Sequence, residues 1–237
     1  MDDLAALRNE AANTPEHEIW TRGCPVSARL SEETVHGLEG LAMATFGDAL
    51  SVGMWAFASG ALMAGLFQAN VLPSSTAAAL FPVLLVYPGA VLFIAGLLLF
   101  RRNNNLLASS FCSFASLNLA RGALLFSASR GLLPPMAPVR QMEGILFEVF
   151  AYLALTLFIG ALKLNAVLVL TLGCTAIGFF MAGLSLLAGP GNAIIDEIGR
   201  IGGFFMIGSA AFAFYGGSAV LVNTAWRRAI APIGGKT

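Results

Sequence analysis

The sequence predicts an all-α membrane protein with six transmembrane helices. Of its 237 residues, 57% are hydrophobic and only 11% are charged, whereas a soluble domain carries about 25% charged residues. A soluble chain of this composition would lack the polar side chains needed to cover its surface, and the mean hydropathy of +0.80 indicates lipid as the surrounding solvent. The apolar residues also form continuous runs, which excludes membrane β-strands, because these alternate in polarity over about ten residues.

Six apolar runs are each close to the roughly 20 residues that cross about 30 Å of hydrocarbon as a helix. In chain order they cover about 50–67, 77–100, 106–128, 145–162, 165–188 and 198–222. The breaks between them contain residues that end helices or avoid lipid, namely the amides at 68–70, the arginines and asparagines at 101–105, the three prolines in 129–143, Lys163, and Gly189-Pro190-Gly191. These runs define a six-helix domain over residues 47–228.

Polar segments flank this domain on both sides. Residues 1–46 are predicted to form an acidic cytosolic tail, partly disordered or amphipathic, with a short helix after Ser31 as N-cap. Residues 229–237 form a short C-terminal tail. The first 48 residues contain nine acidic and three basic residues, and the remainder contains four acidic and ten basic residues. No basic run is long enough to indicate nucleic-acid binding.

Basic residues predict the orientation of the domain, because loops rich in Lys and Arg stay in the cytosol. The connection after the second run, the connection after the fourth run and the C-terminal tail together contain six basic residues, and the opposite loops contain three. Both termini are therefore predicted to lie in the cytosol, most simply at the plasma membrane.

Several short motifs are distributed along residues 47–234, each at one position. They are Tyr87 and Gly89, Ala95-Gly96-Leu97-Leu98 before a basic pair, Phe111, Ser113 and Ser116, Gly160-Ala161-Leu162-Lys163, Gly191-Asn192, Gly199 and Gly202, Tyr215, Asn223, and Pro232-Ile233-Gly234. In this order and spacing the chain resembles the acetate uptake transporter family. It departs from the family at the start of the first run, where Gly53 is kept but both signature prolines are absent, and in the second run, where Leu92 and Leu99 replace a polar Gln and Glu.

The resemblance implies a six-helix subunit with its own pore that assembles into a homohexamer in the lipid bilayer. It also implies movement of acetate, succinate or similar small carboxylates, either through a channel or coupled to protons. Neither a cofactor nor a metal is implied.

Candidate pore-lining residues come from the matched positions and from charges near the apolar runs. They are Asp48, Gly53, Phe57, Tyr87, Arg121 and Tyr215. Asp48 has an alternative role as N-cap of the first helix, and a carboxylate at a pore mouth would disfavour anions. Aromatic residues in membrane helices also serve in packing and in interfacial belts, so Phe57, Tyr87 and Tyr215 have a purely structural alternative.

Arg121 is a charge inside the third run, and a charge within a span is a functional-site hypothesis by default. Glu148 enters the fourth run from the same side at a similar estimated depth, which predicts a structural ion pair between Arg121 and Glu148. Two alternatives for Arg121 remain open. In the first, Arg121 attracts a carboxylate at the outer vestibule. In the second, its long side chain reaches the membrane interface.

No pattern in the chain indicates catalysis. His17 and His36 both lie in the N-terminal tail without further ligands at metal spacing, and no nucleophile or phosphate-loop motif is present. Cys112 and Cys174 lie inside apolar runs, where cysteine behaves as a small hydrophobic residue. Gly199 and Gly203 form a G-x-x-x-G pair, which predicts close helix packing.

Two further classes of function remain open from the sequence. One is a pore for a neutral solute such as ammonia, urea or water, because Leu92 and Leu99 remove polar groups from the second run and Asp48 would repel anions. The other is a membrane protein that does not transport, whose acidic tail recruits a partner.

Overall fold

The structure is a computed structural model that describes residues 49–73, 76–132 and 136–234. Their regular secondary structure is helical, with α1 at Ala49–Gln68, α2 at Ala77–Leu85, α3 at Leu92–Phe100, α4 at Asn105–Ser129, α5 at Met136–Ala161, α6 at Ala166–Ala188 and α7 at Ala193–Trp226. A π-helical segment, Val86–Val91, joins α2 to α3. Within the described residues, six helices are long and apolar enough to cross a membrane, which confirms the predicted fold class.

The six spans form a closed ring. Going round it, α1 packs on α7, α7 on α6, α6 on α5, α5 on α4, and α4 on the α2–α3 helix, which in turn packs on α1. Gly203 of α7 lies directly against the α1 backbone at Gly65, and a Cβ at Gly203 would lie 2.8 Å from the Gly65 carbonyl oxygen. Gly199 similarly faces Ser185 of α6. The predicted glycine pair therefore packs helices within one subunit.

Contacts between neighbouring segments identify one end of the ring, and the opposite end follows from it. The start of α1 meets the end of α7, where the Trp55 indole N–H donates to the Ser218 hydroxyl over 3.2 Å. The start of α6 meets the segment after α7, where the Ala166 amide donates to the Gly234 carbonyl. We call this end, which contains Ala49, the terminal end, and the opposite end, which contains the α4–α5 connection, the far end.

Asparagine side chains begin three of the helices. The amide oxygens of Asn104, Asn165 and Asn192 accept hydrogen bonds from the backbone N–H groups of Leu107, Leu168 and Ile194 respectively. These bonds satisfy N–H groups that have no partner within the helix, which is the usual function of an N-cap. Each of these three asparagines lies in or close to one of the polar breaks predicted at 101–105, Lys163 and 189–191.

The π-helical segment follows from Pro88, which has no N–H and whose ring excludes an ordinary helical position against the preceding turn. Gly89 is also required here, because a Cβ at Gly89 would lie 2.6 Å from the Leu84 carbonyl oxygen. The side-chain amide of Asn118 on α4 donates to the Pro88 carbonyl over 3.3 Å, which connects the π-helical segment to α4. Such turns occur frequently at functional sites.

Two helices are longer than their apolar runs predicted. Helix α5 begins at Met136 instead of about residue 145, and α7 covers Ala193–Trp226 instead of about 198–222. Pro138 had suggested a loop, but proline is tolerated in the first turn of a helix, where its missing N–H is not needed. The acidic residue Asp196 lies in the first turn of α7, where a negative charge is favourable next to the helix N-terminus.

Candidate functional site

Two aromatic rings meet at the centre of the helix ring. Phe57 of α1 and Phe114 of α4 lie with ring centroids 4.9 Å apart and an interplanar angle of 60°. Both are buried, with exposed fractions of 6% and 2%. Phe114 also approaches Phe179 of α6, at 6.1 Å between centroids. Three spans therefore contribute a ring to one central aromatic cluster.

Small cavities lie on both sides of this pair. The cavity towards the terminal end has a volume of about 20 Å³ and includes Phe57, Phe114, Ser110 and Thr171 in its lining. The cavity towards the far end has a volume of about 10 Å³ and also includes Phe57 and Phe114. A single water needs about 10–15 Å³ of such volume, so neither cavity has room for a solute as large as acetate. The two rings therefore separate two water-sized spaces.

The cavity towards the terminal end is mainly apolar. Its polar groups are the hydroxyls of Ser110 and Thr171, and the Thr171 hydroxyl donates to the Val167 carbonyl over 2.8 Å. Phe111 forms another part of the wall, and its ring lies against Gly53 of α1, where any Cβ would collide with it. The glycine kept from the family signature therefore provides space for a ring of the cavity wall.

The cavity towards the far end carries two strongly polar side chains, Asn118 and Arg121 of α4. Both are buried, with exposed fractions of 7% and 6%. The Asn118 amide nitrogen donates to the carbonyls of Phe114 and Pro88. Gly60 of α1 lies against this amide, and a Cβ there would lie 3.0 Å from the Asn118 Oδ1. Of the two central cavities, the one towards the far end is therefore the more polar.

Arg121 is paired with Glu143 of α5. Its Nε donates to the Glu143 Oε1 over 2.7 Å, and its Nη2 lies 2.6 Å from the same oxygen. Its guanidinium carbon also lies 4.8 Å from the centroid of the Phe147 ring, a distance that allows a favourable cation–π contact. Phe147 stacks on Phe179, so aromatic contacts connect the ion pair to the central cluster.

The predicted pair between Arg121 and Glu148 is wrong, because the partner of Arg121 is Glu143. Arg121 lies eight residues before the end of α4, and Glu143 lies seven residues after the start of α5. At about 1.5 Å per residue, both are therefore about 11–12 Å from that end of their helices. Glu148 is about 18 Å in by the same measure. The prediction of the Arg121–Glu148 pair failed because the sequence analysis placed the start of α5 nine residues too late.

Glu148 lies on the outer side of the bundle. Its side chain packs against Gly183 of α6, and its buried Oε1 has no hydrogen-bond partner among the described residues. It borders a groove of about 410 Å³ between α5 and α6, which is also lined by the exposed side chains of Tyr152 and Phe180. Glu148 is therefore not in the lining of either central cavity.

The remaining predicted site residues lie in different places. Tyr87 is half-buried and packs against the core from the π-helical segment. Tyr215 is 42% exposed, and its hydroxyl donates to the Pro232 carbonyl over 2.7 Å. Neither residue is in the lining of the two central cavities. Asp48 lies outside the described residues.

Tyr215 instead acts with Asn223 to hold the C-terminal segment. The Asn223 side-chain oxygen accepts hydrogen bonds from the amides of Ile230 and Ala231, and its nitrogen donates to the Ala231 carbonyl. The segment is also bonded to the start of α6 through Gly234. Hydrogen bonds therefore join Tyr215 and Asn223 to residues 230–234, and we call this group of residues the C-terminal clasp.

Several residues of the site were not among the sequence candidates, and Phe114 and Glu143 are the two on which its description most depends. A signal for Phe114 was present, because Phe114, Asn118 and Arg121 are spaced at i, i+4 and i+7, which places them on one face of a helix. Glu143 gave no such signal, since it had been assigned to a loop.

Comparisons with known proteins agree with this architecture. A family model described as the GPR1/FUN34/yaaH family matches residues 33–230. A solved structure titled "Structure of the bacterial acetate channel SatP" is similar to the chain with a TM-score of 0.72 and 21% sequence identity, over 80% of this chain and 100% of that one. No curated protein matches the sequence. The structural match supports the six-helix fold.

Proposed function

Since this chain belongs to the GPR1/FUN34/yaaH family, we propose that it moves small carboxylates, acetate above all, across a membrane through the centre of its helix ring. The family match confirms the resemblance drawn from the sequence. A similar solved structure is titled an acetate channel, which supports acetate as the first substrate to test. The observation that carries the proposal is the pair of cavities on opposite sides of Phe57 and Phe114.

The Phe57–Phe114 contact is the barrier of this path. Apolar constrictions in membrane pores exclude water and ions by dewetting, and both rings are buried in the bundle. With water-sized spaces on either side, the structure corresponds to a closed conformation. Conduction requires at least one of these rings to move aside, which rotation of an aromatic side chain to another rotamer can achieve.

Arg121 makes the far end of the path suitable for an anion. It is the charged residue in the lining of the far-end cavity, and a guanidinium binds carboxylates with directed, charge-assisted hydrogen bonds. The terminal-end cavity offers hydroxyl groups instead, from Ser110 and Thr171. A carboxylate would therefore find its strongest polar contact on the far-end side of the barrier.

The assembly and location belong to the same proposal. The bundle exposes large apolar side chains such as Val86 and Ile159, as expected for surfaces against lipid or a second subunit. The resemblance to the family supports a homohexamer with one path in each subunit. The distribution of basic residues supports an orientation with both termini in the cytosol, and the plasma membrane is the simplest location for it.

Flux through purified protein in liposomes tests the proposal. Labelled acetate should enter faster than in protein-free vesicles, and a panel with succinate, lactate, urea and ammonium should show acetate as the preferred solute. Repeating acetate uptake with and without an imposed proton gradient separates channel-like from proton-coupled movement. Urea or ammonium flux without acetate flux would contradict the proposal and favour a neutral-solute pore.

A further inference from the structure

We propose that Glu143 is a tethered stand-in for the carboxylate of the substrate. A carboxylate that enters from the far end takes the place of Glu143 on Arg121, while Glu143 moves to Arg140. This inference rests on the proposed function, since it describes how the same path binds its substrate.

The chemistry of the resident pair is already that of a bound carboxylate. The outer part of the Glu143 side chain is a CH₂–COO⁻ group, which is acetate attached to a helix. In the structure both Arg121 contacts go to one of its oxygens, Oε1. The favoured pairing of a guanidinium with a carboxylate uses two parallel hydrogen bonds to two oxygens. A free carboxylate, which no helix restrains, can adopt that geometry and compete for Arg121.

The space next to Arg121 also matches such an exchange. The far-end cavity, which Arg121 lines, has a volume of about 10 Å³ and is too small for acetate. Departure of Glu143 would vacate a space with the size and shape of its own terminal group. Glu143 is also the more accessible partner, because its side chain is 22% exposed and that of Arg121 is 7% exposed. Glu143 is therefore the partner that can leave.

Arg140 is a second cation within reach of Glu143. It lies three residues earlier on α5, and residues at this spacing are neighbours on a helix surface. Its Nη2 donates to the Ser185 carbonyl over 3.2 Å, but its buried Nε has no hydrogen-bond partner among the described residues. Leaving a buried donor without an acceptor is costly. The Glu143 carboxylate would satisfy this donor on arrival.

The charges of the three residues favour binding of one anion. Without substrate, Arg121 and Glu143 neutralise each other, while the one bond of Arg140 within the described part of the chain goes to the Ser185 backbone carbonyl. The group therefore carries a net charge of one positive unit. With a carboxylate on Arg121 and Glu143 on Arg140, each cation has an anionic partner. Glu148 on the same helix lies against Gly183 and is outside this exchange.

Opposite responses of two variants test the exchange. The half-saturating acetate concentration is measured from liposome flux and, independently, from the acetate-dependent rise in Tm of detergent-solubilised protein, since a ligand that binds the folded state raises its stability. Glu143→Gln removes the competitor and should lower the half-saturating concentration about tenfold, which equals about 1.4 kcal/mol of binding free energy. Arg140→Gln removes the second position for Glu143 and should raise the half-saturating acetate concentration.

Two further variants complete the test. Arg121→Gln should abolish the acetate-dependent rise in Tm, and Glu148→Gln, which removes a carboxylate elsewhere on α5, should behave as the wild type. If Glu143→Gln does not fold, Glu143→Asp serves in its place, because the shorter side chain keeps the charge but retracts the carboxylate from Arg121. Folding is checked for every variant by size-exclusion chromatography.

The possible failures are distinguishable. Acetate flux in the wild type together with unchanged half-saturation in Glu143→Gln and Arg140→Gln, or a shift of both in the same direction, would overturn the exchange and leave the proposed function standing. A rise in Tm with acetate whose half-saturating concentration shifts in opposite directions in Glu143→Gln and Arg140→Gln, without acetate flux, would support the exchange and overturn the proposed function.

Discussion

The carboxylate of Glu143 meets the guanidinium of Arg121 at the same height in two antiparallel helices, with an Nε–Oε1 distance of 2.7 Å. Both groups lie in a span, where an unpaired charge costs about 2.5–3.5 kcal/mol on insertion scales. The pair therefore allows α4 and α5 to carry charges through an apolar region. It also places a cation beside the central aromatic barrier.

The first prediction concerns the energy of this pair. Glu143→Ala should lower the free energy of unfolding by about 3 kcal/mol, because it leaves the buried Arg121 without a counter-ion. Arg121→Ala should cost less, since Glu143 is partly exposed. In the double variant part of the loss should be recovered, which a double-mutant cycle of unfolding in mixed detergent micelles would measure.

Glu148 provides the control for that cycle. It does not pair with Arg121, so the effects of Glu148→Ala and Arg121→Ala should add within about 0.5 kcal/mol. Coupling of Arg121 to Glu148 that exceeds its coupling to Glu143 would contradict the structure.

The second prediction concerns the barrier. Phe57→Ala should join the two central cavities and raise acetate flux in liposomes about tenfold, which corresponds to about 1.4 kcal/mol off the barrier. It should also admit larger solutes such as lactate, and removal of a buried aromatic side chain should lower stability by about 3–5 kcal/mol. Phe93→Ala is the matched control, since Phe93 is 38% exposed on the outside of the bundle. Equal fluxes for both variants would exclude Phe57 from the path.

The third prediction concerns the C-terminal clasp. Asn223→Ala removes the acceptor of two backbone amides and the donor to Ala231, so hydrogen exchange at Ile230 and Ala231 should become faster. Because a hydrogen bond contributes about 1 kcal/mol, exchange should accelerate at least fivefold. Tyr215→Phe, which removes only the bond to Pro232, should have a smaller effect. Unchanged exchange in Asn223→Ala would show that the clasp does not hold the segment.

The fourth prediction concerns topology. In a variant without the native cysteines, single cysteines placed at Asn103 and Leu132 should react with a membrane-impermeant maleimide from opposite sides. These positions lie in the connections on either side of α4, and one membrane crossing separates them. Labelling of both from the same side would refute the six-span arrangement.

The sequence by itself determined the number and nature of the spans, because the need to match about 30 Å of hydrocarbon is met locally by each apolar run. The motifs from Tyr87 to Gly234 also sufficed to indicate the family, since their order and spacing are properties of the chain alone. The starts of α4 and α6 were also predicted to within one residue, because they are fixed locally by the side chains of Asn104 and Asn165, which bond to backbone N–H groups three positions away.

Only the tertiary structure decided which side chains meet across the ring. Whether Arg121 reaches Glu143 or Glu148 depends on where α5 begins, and a shift of nine residues moves a side chain by about 13 Å along a helix axis. Phe114 belongs to the central aromatic cluster because it contacts Phe57 on another helix. Tyr215, which was predicted to line the pore, instead donates a hydrogen bond to Pro232. The hydropathy of a segment indicates how much of a helix lies in lipid. It says little about how the helix is rotated about its axis or how high it sits relative to its neighbours, because packing between helices sets both.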